Sequence, residues 1–225
     1  AAGLLALGLY RGDRIGIWSP NRPEWLLAQF ATARIGLILV NINPAYRRSE
    51  VEYVLNKISA KALILAPGFK SSNYLEMLCD LAPELEAATP GRLVSASLPA
   101  LRTVIQLGTE SQPGMYSFDQ VMDRGGGGQR SRLDAISDAL SPHDNINIQF
   151  TSGTTGAPKG ATLSHHNIVN NAIFCALAMN FTARDRLCIP VPLYHCFGMV
   201  LGVLSSVATG AAMIFPGEAF DPLET

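Results

Sequence analysis

The sequence has little charge of either sign, and nowhere is that charge concentrated. Its 17 lysines and arginines nearly balance its 18 aspartates and glutamates, which leaves a net charge of −1. No basic cluster exceeds the pairs Arg47-Arg48 and Arg130/Arg132. Proteins that bind nucleic acid depend on lysines and arginines to neutralise phosphates. The composition therefore argues against a nucleic-acid partner and favours small-molecule partners.

Cysteine is scarce and is not spaced for metal binding. None of the cysteines forms a C-x-x-C pair, and their apolar contexts predict buried free thiols in a reducing compartment. No His, Cys or Asp group has metal-site spacing, and the adjacent pair His165-His166 cannot chelate as an i, i+4 pair would. We therefore expect no metal bound by protein side chains alone. The four cysteines are Cys79, Cys175, Cys188 and Cys196.

Long uncharged runs are also rare, and one run raises the question of a membrane helix. Residues 196–215 are twenty residues without charge, and Gly198 and Gly202 give them a G-x-x-x-G spacing. Gly210 is a natural helix stop, residues 211–215 are typical of a strand, and no basic residues flank the run. We expect a helix and then a strand here, and no membrane span.

The ends of the chain carry no recognisable targeting signal. The sequence begins at Ala1 and ends at Thr225 within a loop-like stretch. Its 225 residues are 48% hydrophobic and 16% charged, which is enough for one sizeable core. We expect a compact piece of a longer protein.

Apolar strand-like runs alternate with helical patterns along the chain. Continuous apolar strands in such an alternation predict an α/β fold with mostly parallel sheets and helices on both faces. The predicted strands are 14–18, 37–42, 62–66, 103–107, 146–150, 187–191 and 212–215. The predicted helices are 23–35, 50–59, 73–81, 118–124, 165–179 and 198–208, with a polar, weakly helical surface excursion at 131–144.

Several helix starts carry recognisable signals. Asn21 with Pro23 predicts the start of one helix, and Ser49 with Glu52 forms a candidate capping box for the next. Ser164 is a candidate N-cap for the helix that begins at His165.

The most informative segment reads QFTSGTTGAPKGATLSHHN, at residues 149–167. Seven of the ten residues 151–160 are Gly, Ser or Thr, and Lys159 supplies an ammonium group. Glycines let backbone N–H groups turn towards an anion, so the loop suits a polyphosphate. It is not a Walker A loop, because Lys159 follows Pro158 and precedes Gly160. An ordinary glycine-rich turn is the alternative interpretation.

The same topology places a second segment near this loop. The loop follows predicted strand 146–150, and Tyr194 and His195 follow predicted strand 187–191. Ligands of open parallel sheets bind beyond the carboxyl ends of strands. Both segments therefore fall where a site is expected.

The string T-S-G-T-T-G-x-P-K-G resembles the phosphate loop of the adenylate-forming enzymes, which include acyl-CoA synthetases, 4-coumarate ligases, luciferases and peptide-synthetase adenylation domains. PVPLYHCFG (190–198), GDRIGIWSPNRPEW (12–25) and VNINPAY (40–46) resemble further landmarks of that family. The loop flanks are especially similar to the mitochondrial medium-chain fatty acyl-CoA ligases. Residues 81–139 show no matching motif.

The resemblance implies a two-step reaction with ATP, Mg²⁺ and coenzyme A. A fatty acid attacks ATP to give acyl-AMP and pyrophosphate, and coenzyme A then displaces AMP. It implies catalytic roles for Lys159 and His195, and an acyl-site role for Tyr194 and His195. A histidine that simply packs at a strand end is the alternative for His195. The implied ATP-binding residues are Thr151, Ser152, Gly153, Thr154, Thr155, Gly156, Ala157, Pro158 and Lys159.

The resemblance also implies that residues 1–225 are a partial N-terminal AMP-binding domain. The family's adenine, ribose and C-terminal lysine motifs do not occur here, so we expect no lid domain and no activity from these residues alone. The expected compartment is the mitochondrion, by resemblance only. Three rivals stay open: an aryl-CoA ligase, an amino-acid adenylation domain, and a catalytically silent nucleotide-binding module.

Overall fold

The architecture is a mostly parallel sheet with helices packed against it, as the sequence predicts. The computed structural model describes residues 1–126, 130–151 and 158–223. The main sheet has seven strands in the order β7-β6-β3-β1-β2-β8-β9. Every neighbouring pair in this sheet is parallel except β8 and β9. The fold class is therefore α/β.

The strands of the main sheet are β1 (Arg14–Trp18), β2 (Ile38–Ile42), β3 (Ala62–Leu65), β6 (Thr103–Gln106), β7 (Tyr116–Ser117), β8 (Asn145–Thr151) and β9 (Lys159–Ser164). Two small sheets contain β4 (Gly68–Phe69) with β5 (Ser72–Asn73), and β10 (Arg186–Cys188) with β11 (Ala212–Ile214). The α-helices are α1 (Ala2–Ala6), α2 (Pro23–Arg34), α3 (Arg48–Lys57), α4 (Tyr74–Leu81), α5 (Phe118–Asp123), α6 (Arg130–Asp138), α7 (His165–Ala178) and α8 (Ser205–Thr209). A 3₁₀-helix spans Pro83–Ala87, and a π-helix spans Phe197–Leu204.

The core lies on the central strands β1, β2 and β3. Ile15 and Ile17 of β1 are fully buried, since helices cover both faces of a parallel sheet. Trp18 ends β1 and stacks on Tyr74 of α4, with ring centroids 3.9 Å apart. The Tyr74 hydroxyl donates to the Pro44 carbonyl at 2.7 Å, which ties α4 to the chain that leaves β2. The core thus supports the carboxyl ends of β1 and β2.

Strand β9 was not predicted from the sequence. The prediction continued the loop to Gly160 and went directly into the next helix, but residues 159–164 pair antiparallel with β8. The four residues from Lys159 to Thr162 are exposed and carry no apolar alternation, so the strand is recognisable only from its backbone pairing. Lys159 therefore lies on an edge strand and not within a loop.

The predicted strand 187–191 is shorter than expected. β10 ends at Cys188 and pairs with β11, so these strands form a separate parallel pair and not part of the main sheet. Pro190 and Pro192 lack the N–H that a ladder requires, which explains why the strand stops. The other predicted strands agree with the structure to within one residue at each end.

One predicted helix start was wrong, and two were correct. α3 begins at Arg48, where the Glu50 carboxylate accepts the Arg47 N–H at 2.8 Å, so Ser49 and Glu52 do not form the capping box. α2 begins at Pro23 as predicted, with Arg22 in the N-cap position and Asn21 one residue before it. Ser164 caps α7 as predicted, since its hydroxyl accepts the Asn167 N–H at 3.2 Å.

The predicted burial of the cysteines was also wrong. Cys79, Cys188 and Cys196 are exposed, and Cys175 is partly buried. Cys79 follows buried Leu78 on α4 and so points away from the core. Cys188 lies on the outward-facing side of β10, and Cys196 lies beside exposed His195. An apolar sequence context does not specify which way a single side chain points.

The uncharged run 196–215 forms a helix followed by a strand, as predicted. Its first part is the π-helix, which continues into α8 and stops at Gly210 with φ of +77°. β11 follows directly. In the described part of the chain, no helix combines the length and apolar character that a bilayer crossing requires.

Candidate active site

The phosphate-loop segment joins two antiparallel strands. Thr151 ends β8, Lys159 begins β9, and the two residues are register partners. The Thr151 hydroxyl donates to the Lys159 carbonyl at 3.4 Å. The Tyr53 hydroxyl of α3 donates to the Pro158 carbonyl at 3.5 Å. The base of the loop is therefore fixed at the carboxyl end of β8.

Six of the predicted ATP-binding residues lie outside the described residues: Ser152, Gly153, Thr154, Thr155, Gly156 and Ala157. The three that are described lie at the two ends of this stretch, where Thr151 and Lys159 are exposed and Pro158 is half-buried. Among the described residues, Lys159 forms no salt bridge. Its ammonium is therefore available to an anionic ligand.

Asn21 holds the second segment, which carries Tyr194 and His195. Its side-chain amide donates to the Val191 carbonyl at 3.0 Å and accepts the Leu193 N–H at 2.8 Å. Asn21 is 4% exposed, so these bonds are shielded from water. This residue, predicted to start α2, instead fixes the backbone two residues before His195.

Asn41 of β2 holds the same segment from the sheet side. Its side-chain N–H₂ donates to the Tyr194 carbonyl at 3.1 Å and contacts the Met199 sulfur at 3.5 Å. Its oxygen accepts from the Asn147 amide of β8 at 3.0 Å. Asn41 is the register partner of Gln149, which stands two residues before Thr151. The buried amides thus bring Tyr194 beside the strand that leads into the phosphate loop.

Gly198 allows the π-helix to approach the segment closely. A Cβ added at this position would collide with the Pro192 carbonyl. π-helical turns are rare and occur frequently at functional sites. The Met199 N–H donates to the His195 carbonyl at 3.0 Å, so the helix begins directly from the histidine.

The His195 ring is exposed, with one of its two nitrogens engaged. Nδ1 accepts the Phe197 N–H at 3.1 Å and lies 3.7 Å from the Cys196 sulfur. Because Nδ1 accepts, the neutral ring carries its proton on Nε2. An exposed ring with a free Nε2–H differs from a histidine packed into the core. His195 can therefore donate to a ligand.

Tyr194 contacts the His195 ring, and Tyr46 lies close enough to Tyr194 to interact with it electrostatically. The half-buried Tyr194 ring meets the His195 ring edge-on, with centroids 6.3 Å apart and an interplanar angle of 85°. Burial, with smaller contributions from Glu50 and Tyr194, raises the pKa of the Tyr46 phenol above its usual range. Tyr46 therefore stays neutral near Tyr194 and can act as a hydrogen-bond donor or acceptor.

Of the predicted site residues that the structure describes, Thr151, Pro158 and Lys159 lie at the carboxyl end of β8, and the segment of Tyr194 and His195 is bonded to the neighbouring strand β2. The structure adds other residues to this region. Asn41 and Tyr46 belong to the landmark VNINPAY, and Asn21 belongs to SPNRPEW. Sequence reasoning recognised these strings but assigned no site role to any residue in them. The signal that could have identified them is a polar side chain just inside or just after an apolar strand, where ligands of parallel sheets bind. Of the apolar residues that follow His195 in the chain, Phe197 is half exposed, whereas Met199 is buried in the core.

The described residues contain no group of three His, Cys, Asp or Glu side chains that could hold a metal ion. The described site groups are hydroxyls, amides, phenols, an ammonium and an imidazole. Such groups bind a phosphorylated ligand through donors and positive charge. The neighbouring aromatic rings suit a less polar group.

The chain is similar to known proteins over nearly its whole length. The profile of the AMP-binding enzyme family matches residues 1–225. The chain is 50% identical to the medium-chain acyl-CoA ligase ACSF2, mitochondrial, of Danio rerio, over 98% of this chain and 37% of the relative. It is 44% identical to the Bacillus subtilis protein YngI, over 99% of this chain and 40% of that protein.

A solved structure shares the fold. The crystal structure of ATP-bound MatB from Rhodopseudomonas palustris superposes with a TM-score of 0.71 at 25% identity. The match covers 99% of this chain and 39% of that one. The chain thus spans about 37% to 40% of the length of these three proteins.

Proposed function

The chain belongs to the AMP-binding enzyme family, and we propose that the intact protein activates a carboxylic acid with ATP and transfers it to coenzyme A. The carboxylate oxygen attacks the α-phosphorus, and the bond to the bridging oxygen of pyrophosphate breaks. The thiol of coenzyme A then attacks the acyl carbon, loses its proton, and releases AMP. The products are a thioester, AMP and pyrophosphate.

One observation carries this proposal. The 3.1 Å bond from Asn41 to the Tyr194 carbonyl places the His195 segment beside β2, the parallel neighbour of β8. β8 leads directly into the segment that begins at Thr151 and returns at Lys159. A donor-rich phosphate segment and an aromatic segment thus share one end of the sheet. Such a site can bind the two halves of an acyl-adenylate together.

Lys159 acts on the leaving pyrophosphate in this scheme. Negative charge grows on the β- and γ-phosphates as the α-phosphorus is attacked, so a cation placed there lowers the barrier. One such cation about 4 Å from a phosphate oxygen is worth roughly 4 kcal/mol at an effective dielectric of 20. Lys159 is exposed and forms no salt bridge with any residue that the structure describes, which supports this role.

Residues 151–159 bind the triphosphate in the same proposal. Thr151 contributes its hydroxyl, and Ser152, Thr154 and Thr155 contribute hydroxyl and backbone donors. Gly153 and Gly156 let the backbone turn towards the phosphates. Ala157 and Pro158 complete the segment before Lys159.

His195 and Tyr194 form the acyl side of the site. A carboxylic acid needs no base at neutral pH, because an unperturbed carboxyl group titrates near pH 4. His195 therefore positions the acyl group through its Nε2–H, and the Tyr194 ring forms part of the wall of the acyl-binding site. The edge-on contact of the two rings supports a shared role.

Mg²⁺ enters with the nucleotide in this proposal. Mg²⁺ commonly binds substrate phosphates with few protein ligands, and the described residues offer no three-residue metal cluster. The chain fits an ion held chiefly by ATP, with Thr154 as the candidate protein contact. When bound, Mg²⁺ neutralises phosphate charge.

We propose a medium-chain fatty acid as substrate and the mitochondrion as compartment. The name of the Danio rerio relative supports both. A relative at 44% identity occurs in a bacterium, so only the mitochondrial relatives support the proposed compartment. We also propose that residues 1–225 are part of a larger AMP-binding domain and are inactive alone, which is consistent with their covering 37% of the Danio rerio relative.

Product analysis tests the proposal. The intact protein is incubated with octanoate, ATP, Mg²⁺ and coenzyme A, and the nucleotides and thioester are separated by chromatography. We expect AMP, pyrophosphate and octanoyl-CoA in equal amounts. ADP and phosphate as products would refute an adenylate route. Turnover restricted to aryl or amino acids would retain the adenylate chemistry and overturn the fatty-acid assignment.

A further inference from the structure

A surface groove between α2 and α7 leads into a small interior pocket. The outer groove has a volume of about 630 Å³, and its lining includes Phe30 and Val169, which are 39% and 42% exposed. The inner pocket has a volume of about 110 Å³ and lies among α2, β2, β8, α7 and the π-helix. The two spaces adjoin, because four residues line both: Phe30, Ala33, His165 and Val169.

The inner pocket contains buried polar atoms that lack partners. Gln29 of α2 and Asn147 of β8 line it, and these residues are only 7% and 2% exposed. Within the described part of the chain, seven buried side-chain nitrogen and oxygen atoms have no hydrogen-bond partner, and four of them belong to residues of this pocket. They are both polar atoms of Gln29, Oδ1 of Asn147 and Nε2 of His165. A buried polar group without a partner bears its full desolvation cost, so this convergence indicates a site for a hydrogen-bonding group.

The two amides supply two acceptors and one donor group. The Asn147 N–H₂ already donates to the Leu39 carbonyl at 3.1 Å and to the Asn41 oxygen at 3.0 Å, so the free atom of Asn147 is its oxygen. Gln29 adds a second free oxygen and an N–H₂ group with protons to donate. The amides therefore require a partner that has two donors and at least one acceptor.

The inner pocket has no charge that would offset a charged ligand. None of the described residues that line it is Lys, Arg, Asp or Glu. Burial lowers the pKa of His165, against the opposing effect of Asp144, so this ring is neutral at neutral pH. Its Nε2 then donates or accepts, according to the tautomer. An ionised carboxylate or ammonium buried without a counterion is costly, so the matching ligand group is neutral.

A primary carboxamide matches this set of atoms. Its two N–H donors pair with the oxygens of Gln29 and Asn147, and its carbonyl accepts from the Gln29 N–H₂. A hydroxyl has a single donor and would leave one amide oxygen unpaired. The rest of the inner wall is apolar and includes Leu39, Ile168 and Leu204. Ligand sites commonly combine apolar walls with a few convergent polar groups, so the outer groove suits the apolar body of such a ligand.

We propose that the outer groove and the inner pocket form a second binding site, which takes a small neutral primary carboxamide with an apolar body. The carboxamide occupies the inner pocket, and the body lies in the outer groove against Phe30 and Val169. The site is separate from the candidate active site, because fully buried Met199 lies between the inner pocket and His195. The inference therefore does not depend on the proposed acid activation.

The test compares benzamide with acetophenone as ligands of the intact protein. The two molecules have nearly the same shape, but acetophenone carries a methyl group where benzamide carries its N–H₂. The dissociation constant of each is measured by calorimetry. We expect benzamide to bind more tightly by tenfold or more, because a site built to bond an N–H group discriminates against an analogue without it.

Two variants of α2 locate the binding, and a third is the matched control. Gln29→Met removes two of the free polar atoms and should weaken benzamide binding tenfold or more. Ala33→Leu should do the same by filling the junction of the two spaces, and Ala33 is only half-buried, so α2 tolerates the larger side chain. Thr32→Val should keep the wild-type affinity, because the Thr32 hydroxyl is buried but already donates to the Ala28 carbonyl at 2.8 Å.

Each outcome decides the inference. Absence of benzamide binding up to the limit of its solubility would overturn it and would indicate that the inner pocket holds ordered water only. Equal affinity for benzamide and acetophenone would also overturn it, since the free polar atoms would then not select the ligand. Wild-type affinity in Gln29→Met or in Ala33→Leu would place the binding elsewhere on the protein. If Gln29→Met fails to fold, Ala33→Leu alone decides the location.

Discussion

The side-chain amide of Asn41 donates to the backbone carbonyl of Tyr194 at 3.1 Å, across 153 positions of sequence. A buried residue of β2 thereby fixes the position, relative to β8, of the segment that carries His195. The Asn147 amide donates to the Asn41 oxygen at 3.0 Å and fixes its orientation. Hydrogen bonds shielded from water in this way are electrostatically stronger than the same bonds in solvent. The geometry of the acyl side therefore depends on Asn41.

Asn41→Ala should displace the His195 segment. We expect kcat/KM for the acid to fall about tenfold to a hundredfold, because small misplacements are costly in oriented reactions. The KM for ATP should change little. The free energy of unfolding should fall by about 1–3 kcal/mol, since the Tyr194 carbonyl loses its buried partner. Steady-state kinetics and urea denaturation measure these effects.

The control is Asn56→Ala, which removes an exposed amide that bonds the Ser97 carbonyl at 2.9 Å. It should leave the kinetics for both substrates unchanged. A normal kcat/KM in Asn41→Ala would mean that Asn41 does not position the segment.

Lys159→Met should slow adenylation by one to a few powers of ten, each costing about 1.4 kcal/mol. The thermal midpoint should hardly move, because Lys159 is exposed at the start of an edge strand. Single-turnover formation of acyl-AMP measures the rate. Lys57→Met, at the exposed C-terminal end of α3, is the matched control. Adenylation at the normal rate in Lys159→Met would refute the role of this lysine.

His195→Ala should alter acyl-chain preference or the thioester step and leave ATP affinity largely intact. The ring contacts Tyr194 and presents Nε2–H to solvent, and it forms no contact with the base of the phosphate segment in the described structure. Competition among fatty acids of different length, with ATP titration, measures both effects. His143→Ala changes an exposed histidine elsewhere. Lost ATP binding with unchanged chain preference would place His195 on the phosphate side.

Stability should rise between about pH 5 and 7 because of His165. Burial lowers its pKa in the folded state below the unfolded value, which is about 6.5. The unfolded state therefore binds more protons in this window, and stability falls as the pH falls through it. His165→Asn should flatten this part of the curve, measured by urea unfolding at several pH values. An equally steep curve in the variant would assign the dependence to other groups.

Much of the fold could be predicted because it follows from continuous apolar runs. β1 and its neighbours are continuously apolar in sequence, as expected of strands that are buried on both faces. Ser164 was identified as an N-cap because it directly precedes a helical pattern. β9 could not be predicted, since its exposed residues carry no periodic signal and only the return of the chain along β8 defines it. β10 is shorter than its apolar run suggests, because Pro190 and Pro192 interrupt the backbone pairing while the apolar pattern continues through them.

The residue types of the candidate site could be read from the sequence, whereas their arrangement in space could not. Lys159, Tyr194 and His195 were identified from motif strings, which record residue types. The roles of Asn21 and Asn41 depend on contacts across 172 and 153 positions, and such contacts leave no local trace in one sequence.

The central claim is that the intact protein forms an acyl-adenylate before coenzyme A takes part. Acid-dependent exchange of labelled pyrophosphate into ATP, measured without coenzyme A, tests this most directly. We expect exchange with medium-chain fatty acids, no exchange without acid, and a reduction of tenfold or more in Lys159→Met. Exchange that requires coenzyme A, or no exchange with any acid while thioester still forms, would contradict it.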